Sequence, residues 1–382
     1  MPGRSWRVAR IAGIPIGVSP WWLVIVALIT WSLGSSYFPG EVHRIAPLAA
    51  YGLGLASVLL LFASILAHEL GHALVARRHG IQIAEIDLWL LGGVARMEGE
   101  AHEPGDELRF ALAGPAVTAV VLACFGALDL LLPASSPATL RALVDYQVLT
   151  NALILGFNLI PAFPLDGGRV MRALLWRRWG DMRRATQIAS DVGRGFGYLL
   201  IGLGVLELLY GSAEGLWLSL VGVFIVAAAG AQAKGAEIRA LFSGVTAGAL
   251  MASPVVSIPA GLPVVLAASD YFARYGYTAF PATDTAGTVL GLVTIDRLQA
   301  LSADRRAVTR VAEIVDRDRA LIVPEDLDVA ELLERPAFAR VGRAVVVDER
   351  GAPAGLVSIT DVQRAIRSAQ LMSAGTQGRA AG

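Results

Sequence analysis

Long apolar runs dominate the first 240 residues of the chain. A helix needs about 20 mostly apolar residues to cross a bilayer, and six windows come near this requirement. They are residues 20–37, 47–76, 110–132, 143–160, 196–210 and 216–231. Asp145 and Asn151 interrupt the fourth window, and the fifth is short. The pattern predicts an α-helical polytopic membrane protein with about six transmembrane helices.

Residues 80–108 follow neither a membrane-spanning nor a helical pattern. Isoleucines and leucines alternate in part with polar residues from Ile81 to Leu90, and the apolar pattern resumes after Gly92 and Gly93. Period-two alternation on both sides of a glycine pair is typical of a β-hairpin. We expect a small hairpin over residues 83–97, at the edge of the membrane.

The character of the chain changes after Lys234, where charge increases and the apolar runs shorten. Residues 291–298 read GLVTIDRL and residues 355–362 read GLVSITDV. This internal repeat indicates two copies of a small α/β unit. The predicted domains are a membrane core (1–240), a first repeat (244–304), a second repeat (305–369) and a disordered tail (370–382).

Positive charge between the apolar windows predicts the orientation, because Lys and Arg accumulate on the cytoplasmic side. The loops on one side carry nearly all of it, and the opposite loops hold little more than Arg44 and Arg141. Six crossings with both termini in the cytoplasm satisfy this distribution. The basic N-terminus lacks a small-residue cleavage site before Tyr37 and Pro39, so the first window is interpreted as a retained span. The predicted location is the plasma membrane.

Composition agrees with a membrane protein and limits the chemistry. Apolar residues make up 55% of the chain and charged residues 17%, and the mean hydropathy is +0.59. The formal net charge of zero gives no basic field that would attract nucleic acid. A single cysteine, Cys124, excludes a disulfide framework and a cysteine-rich metal site. Any metal must therefore be held by His, Asp or Glu.

The second window ends in a metal-binding pattern, His68-Glu69-Leu70-Gly71-His72. On a helix, residues four apart share a face, so His68 and His72 can direct imidazole nitrogens at one zinc ion while Glu69 stays free as a base. A chance occurrence is disfavoured, because each uncompensated charge at the bilayer centre costs about 2.5–3.5 kcal/mol. A bound metal ion compensates these polar groups.

Catalytic zinc sites use three protein ligands and leave one position open. The candidates for the third ligand are Asp166, Glu98, His79 and His102. Asp166 has the best context, because Pro161, Pro164 and two glycines break the helix near the cytoplasmic end of the fourth window. Irregular backbone at membrane depth is tolerated where it lines a cavity.

His-Glu-Leu-Gly-His in one span and Asn158-x-x-Pro-x-x-Pro-Leu-Asp166-Gly-Gly in a later one together resemble the site-2 protease family of intramembrane zinc metalloproteases. The resemblance covers the whole membrane part, including the Ala113-Gly114-Pro115 step. It implies one zinc ion per chain.

The resemblance also implies roles for individual residues. His68, His72 and Asp166 would be the zinc ligands, and Glu69 the catalytic glutamate. Asn158, Gly92 and Gly93 would contact the substrate backbone or the oxyanion, although Asn158 fits a helix-end hydrogen bond equally well.

The C-terminal repeat resembles a pair of cystathionine-β-synthase (CBS) domains, which implies ATP or AMP as a ligand and a homodimer formed through the pair. In such domains a Ser or Thr three residues before an Asp contacts the ribose. Ser358 and Asp361 fit this pattern. Thr294 fits it only in part, because Arg297 stands where the Asp would fall. A dimerisation or packing module without a ligand is an equally good interpretation of the pair.

The implied function is hydrolysis of peptide bonds in or near the transmembrane segment of a single-span regulator, such as an anti-sigma or pro-sigma factor. One alternative is a nucleotide-gated transporter or channel, whose pathway would explain a buried acid but not two histidines flanking a glutamate. A second alternative is an inactive family member that only retains a partner.

Overall fold

The structure, a computed structural model, describes residues 5–89, 92–98, 101 and 103–368. The predicted tail at 370–382 lies outside these residues. The chain forms two compact units, Met1–Ala236 and Glu237–Gly382. The domain boundaries at 240, 244, 304 and 369 stay predictions.

Long helices build the first unit. Their bounds are α1 (Pro20–Ser32), α2 (Phe38–Glu41), α3 (Pro47–Arg78), α4 (Pro104–Leu131), α5 (Ala138–Asn158), α6 (Asp166–Trp179), α7 (Met182–Leu209) and α8 (Glu214–Phe242). A π-helical turn, Leu33–Tyr37, joins α1 to α2. Among the described residues, five helical stretches are long and apolar enough to cross a membrane: Pro20–Glu41, Pro47–Arg78, Pro104–Leu131, Met182–Leu209 and Glu214–Phe242.

Each of the six apolar windows lies almost entirely in helical structure, and the predicted helical membrane fold is confirmed. The fourth window is α5, a helix of 21 residues that is not among the five apolar stretches. A sixth crossing and the orientation of the termini therefore stay predictions. Several helices extend beyond their windows into polar sequence, as α7 does from Met182. An apolar window marks only the apolar part of a helix. The hydrogen-bonded helix continues beyond it into charged residues.

Local sequence signals set the helix ends. Pro20, Pro47 and Pro104 occupy first-turn positions, where the missing N–H costs nothing. The Asp181 side chain accepts a hydrogen bond from the Arg184 N–H at 2.9 Å and caps α7. Gly180, with φ of 71°, ends α6 in the left-handed conformation that glycine adopts without strain. The sharp turn between α6 and α7 is thus encoded locally.

The predicted hairpin is confirmed as β3 (Gln82–Trp89) paired antiparallel with β4 (Gly92–Glu98). It belongs to a larger sheet that the sequence analysis did not predict. Strands β1 (Trp6–Ile11) and β2 (Ile14–Val18) form a second hairpin, and β2 pairs with β3 in parallel. The sheet order is β1-β2-β3-β4, so β4 is an edge strand among the strands described.

This sheet packs against the helix that carries the metal-binding pattern. Ile14 and Ile16 of β2 and Ile86 of β3 form a buried cluster with Ala73 of α3. Burying three isoleucines stabilises the contact by about 1.5–3 kcal/mol per side chain. The sheet is thereby fixed beside the turn of α3 that follows His72.

The second unit contains two sheets with the same internal order. The first is β5 (Ile258–Pro259), β6 (Ala279–Thr283) and β7 (Val289–Thr294); the second is β8 (Ile322–Pro324), β9 (Arg343–Val347) and β10 (Pro353–Ser358). Each has one parallel and one antiparallel pairing in the same sequence order. Short helices surround them: α9 (Ala247–Leu250), α10 (Val264–Ala267), α11 (Ile295–Gln299), α12 (Ala303–Val308), α13 (Val311–Ile314), α14 (Val329–Glu334) and α15 (Pro336–Val341).

The two repeats exchange their leading segments. Phe242 and Ala247 precede the first sheet, yet they pack in the core of the second repeat with Val323. Val311 and Ile314 precede the second sheet and pack in the core of the first. Each repeat therefore completes the apolar core of the other, and we expect the pair to unfold together.

Candidate metal centre

Helix α3 presents both predicted histidines on one buried face. His68 and His72 are 6% and 5% exposed, one helical turn apart. Their Nε2 atoms lie 3.2 Å apart. The helical spacing alone thus brings two imidazole donors to one point.

Asp166 reaches the same point from a different part of the chain. Helix α5 ends at Asn158, an irregular turn follows, and α6 begins at Asp166. The turn is compact because Gly167 lies against the carbonyl oxygens of Leu159 and Ile160, where a β-carbon would approach to 2.4 Å. Only glycine fits such a backbone contact. The turn therefore places the first residue of α6 inside the protein.

The three ligand atoms form a nearly equilateral triangle. Asp166 Oδ2 lies 3.0 Å from His68 Nε2 and 3.3 Å from His72 Nε2. Tetrahedral coordination with zinc–ligand distances of about 2.0–2.1 Å requires ligand atoms about 3.3 Å apart. The described residues contain one group of this kind able to hold a metal ion, and it is this triad. Its size and its donor types fit zinc.

Hydrogen bonds on the opposite ring nitrogens fix the imidazoles. His72 Nδ1 donates to the carbonyl oxygen of Phe110 at 2.8 Å, and His68 Nδ1 lies 2.9 Å from the Thr118 hydroxyl oxygen. Both partners belong to α4. A proton held on Nδ1 leaves the Nε2 lone pair free to face the metal position.

The pKa of the Asp166 carboxyl lies below its ordinary value. Burial by itself raises the pKa of this carboxyl, but hydrogen bonding and charge interaction with His68 and His72 outweigh burial and hold its pKa below the ordinary value. Metal ligation requires the deprotonated carboxylate. A lowered pKa of Asp166 therefore favours the form of this side chain that can bind a metal ion.

Gly114 of α4 leaves the space in which the ligands converge. A β-carbon at this position would lie 2.3 Å from His72 Nε2 and 2.6 Å from His68 Nε2. Both distances are far below van der Waals contact. The glycine of the Ala113-Gly114-Pro115 step is therefore a direct steric requirement of the metal position.

Glu69 lies against Gly93 of the edge strand and lines the same cavity as the three ligands. A β-carbon on Gly93 of β4 would approach Glu69 Cγ to 2.5 Å, so the glycine lets the strand run directly over this side chain. A cavity of about 520 Å³ opens beside them. It is lined by the predicted site residues and others: His68, Glu69, His72, Gly92, Gly93, Phe110, Asn158, Asp166, Arg169, Phe224 and Gln232.

Of the candidates for the third ligand, Asp166 joins the histidines and His79 does not. His79 Nδ1 pairs with Asp106 Oδ1 at 3.0 Å and does not belong to the triad. His102 lies outside the described residues, as does the side chain of Glu98.

Sequence reasoning missed Thr118, Phe110 and Gln232. A signal existed for Thr118, a polar residue one turn beyond Gly114 in an apolar span. The carbonyl of Phe110 has no side-chain signal at all. Gln232 of α8 could have been noted as a polar residue near the end of the last window.

The candidate nucleotide residues lie in the second unit, and the two repeats differ. The Ser358 hydroxyl donates to Asp361 Oδ2 at 2.6 Å, after strand β10. In the first repeat Thr294 ends β7, while the Arg297 guanidinium pairs with Asp316 at 2.8 Å. The side-chain contacts at the two positions differ, and nucleotide binding at either position stays a prediction.

Comparisons with known proteins agree with this architecture. The model of peptidase family M50 matches residues 56–134 and 126–200, and the CBS domain model matches 247–303 and 311–368. The chain is 37% identical over 366 residues to Rip3 of Mycobacterium tuberculosis, named a zinc metalloprotease, covering 94% of this chain and 92% of that protein.

Archaeal relatives extend the comparison. The zinc metalloprotease MJ0392 of Methanocaldococcus jannaschii is 28% identical over 369 residues, covering 96% of this chain and 97% of that protein. The solved site-2 protease from the same organism aligns at 28% identity with a TM-score of 0.41, covering 60% of this chain and 95% of that structure. The chain belongs to peptidase family M50, the site-2 proteases, and is a multi-pass membrane zinc metalloprotease with a C-terminal pair of CBS domains.

Proposed function

We propose that His68, His72 and Asp166 hold one catalytic zinc ion per chain and that Glu69 is the general base and acid of peptide hydrolysis. The observation that carries the proposal is the triangle of ligand atoms, with edges of 3.0–3.3 Å, facing a cavity that Glu69 also lines. Zinc, when bound, polarises the scissile carbonyl and makes its water more acidic.

The remaining chemistry belongs to protein residues. Glu69 follows His68 on α3 but is not a member of the triad, so its carboxylate is free to take a proton from water. It then returns that proton to the leaving amine. Asn158 lies on the cavity wall at the end of α5. Its side-chain N–H donates a hydrogen bond to the substrate backbone.

Removing the metal ion and then adding it back tests the proposed function. Purified protein is expected to hold about one zinc ion per chain and to cleave single-span membrane proteins from the same cell. A chelator should abolish cleavage and added zinc should restore it, because catalysis requires the metal. His68→Ala should lack both zinc and activity. Cleavage that persists without zinc would contradict the proposal.

The substrate must present an extended segment, because a helix hides its peptide bonds in its own hydrogen bonds. Strand β4 is an edge of its sheet and Gly93 runs over Glu69. We propose that the unwound substrate adds to this edge as a further strand, with Gly92 and Gly93 beside the scissile bond. Its class would be a single-span regulator such as an anti-sigma or pro-sigma factor.

This route predicts a dependence on the substrate's helical stability. Replacing helix-weakening residues near the cut with leucine should slow cleavage, because each glycine-to-leucine change favours the helix by about 0.5–1 kcal/mol. Initial rates in reconstituted membranes would measure the effect. Leucines placed at the far end of the same span serve as the control and should have little effect. Equal rates for all substrates would contradict local unwinding.

We further propose that the CBS pair binds ATP or AMP at Ser358 and Asp361, modulates proteolysis and provides the surface of a homodimer. Asp361→Asn in the full chain should weaken nucleotide binding about 10-fold or more, because a hydrogen bond to a charged group is worth about 1.5–3 kcal/mol. Calorimetric titration with each nucleotide would measure this. In the first repeat Asp296 lies one position before Arg297, where the pattern would place the Asp, and Asp296→Asn should bind nucleotide like the unaltered protein. Equal loss in both variants would contradict a single site.

A further inference from the structure

A buried ion pair joins α4 to α6 close to the metal position. Glu107, in the first turn of α4, is 1% exposed, and Arg172 of α6 is 5% exposed. The Nε and Nη2 atoms of Arg172 both donate to Glu107 Oε1. Burying two charges costs several kcal/mol each before their attraction is counted. An apolar pair would hold two helices together at least as well.

On α4, the ion pair lies next to the residue that accepts a hydrogen bond from His72. Phe110 follows Glu107 by one helical turn, so both are on the same face of α4. The Phe110 carbonyl accepts the hydrogen bond from His72 Nδ1, and the two rings lie 4.9 Å apart. The ion pair is therefore anchored on the turn of α4 that orients one zinc ligand.

On α6, the ion pair lies next to the turn that precedes Asp166. The Arg172 guanidinium stacks over the ring of Phe163 at 5.2 Å. Phe163 is also held from the other side, since its N–H donates to the Ala189 carbonyl at 3.3 Å and Gly193 of α7 lies against its backbone. Arg172 thus contacts the segment three residues before Asp166.

We propose that Glu107 and Arg172 are positioning residues for the metal centre, a role that rests on the proposed ligation by His68, His72 and Asp166. Asp166 is the only member of the triad outside α3. The three ligand atoms therefore meet only if α6 packs at a fixed distance from α3 and α4. A guanidinium held by a carboxylate through two N–H groups has a defined direction and distance, which an apolar contact lacks.

Cobalt binding to the full-length protein in detergent tests this role, since the visible spectrum of Co²⁺ reports ligand geometry without any activity measurement. Glu107→Gln and Arg172→Lys should each weaken Co²⁺ binding about 10- to 100-fold and change the spectrum, as loss of an outer partner does at other metal sites. The double variant Glu107→Gln/Arg172→Met removes both charges and should stay folded, yet it should bind Co²⁺ equally weakly.

Phe38→Ala is the control for lost stability. Phe38 is fully buried in a cluster with Phe62 and Ala142, none of which belongs to the triad. This variant should lower thermal stability and keep the affinity for Co²⁺. Unaltered affinity in the Glu107 and Arg172 variants would overturn the proposal, as would an equal loss in Phe38→Ala. If the unaltered protein and His68→Ala bind Co²⁺ alike, the ligand assignment itself fails, which is a separate result.

Discussion

Glu69→Gln is expected to lose proteolysis and keep its zinc. The substitution preserves the size of the side chain but removes the group that accepts a proton. Since Glu69 is not a member of the metal triad, the ligands stay in place. General acid–base catalysis contributes about 10²- to 10⁴-fold to rates. We expect cleavage to fall by at least this factor, measured on a single-span substrate in reconstituted membranes with zinc content determined in parallel.

The same variant separates the proposed enzyme from its alternatives. A transporter, a channel or an inactive relative that only retains a partner would work equally well with glutamine at position 69. His68→Ala is the matched control, because it should lose zinc and cleavage together. Normal cleavage by Glu69→Gln would show that another group takes the proton.

Gly114→Ala is expected to abolish zinc binding although it adds a single methyl group to a helix. The new carbon would lie 2.3 Å and 2.6 Å from the two histidine Nε2 atoms, where no contact is sterically allowed. The imidazoles must turn away, and the triangle of ligands is lost. We expect zinc affinity to fall by more than about 100-fold, beyond the usual effect of an outer-shell change, with complete loss of cleavage.

Gly126→Ala in the same helix provides a matched control. Nothing lies within 4 Å of a β-carbon at that position. Alanine favours a helix over glycine by about 1 kcal/mol, so this variant should be at least as stable and fully active. Zinc content and thermal unfolding of both variants would be compared. Normal zinc binding by Gly114→Ala would contradict the steric argument.

Much of the site was predictable from the sequence because its chemistry uses rare residues at short spacing. His68, Glu69 and His72 lie within a single helical turn, so the helix itself fixes their relation. Asp166 is 94 positions beyond His72, and its assignment came from the glycines and prolines around it and from the resemblance. Its distances to the histidines depend on how α5, α6 and α3 pack, which no local pattern encodes.

The parts of the structure that were not predicted lack a local pattern in the sequence. Strand β1 is exposed along its whole length, and its alternation of Trp6, Arg7 and Val8 stops at Ala9. The turn to β2 places Ala12 at φ of 49°, where glycine or asparagine is the usual signal. Glu107 and Arg172 are 65 residues apart, and each alone is typical of a solvated helix end. Pairing between distant charges becomes visible only in three dimensions.

The parallel pairing of β2 with β3 has a consequence for access to the enzyme. With β2 in place, β3 has neighbours on both sides, and the edges of the sheet are β1 and β4, of which β4 lies over Glu69. Loss of the first hairpin would free the opposite side of β3 and uncover Ala73 and Ile86. The second edge of the sheet would then be β3, directly beside β4, whereas in the intact sheet it is β1, two strands further away. Under the proposed strand addition, the first hairpin therefore keeps the unproductive edge of the sheet away from the catalytic cavity.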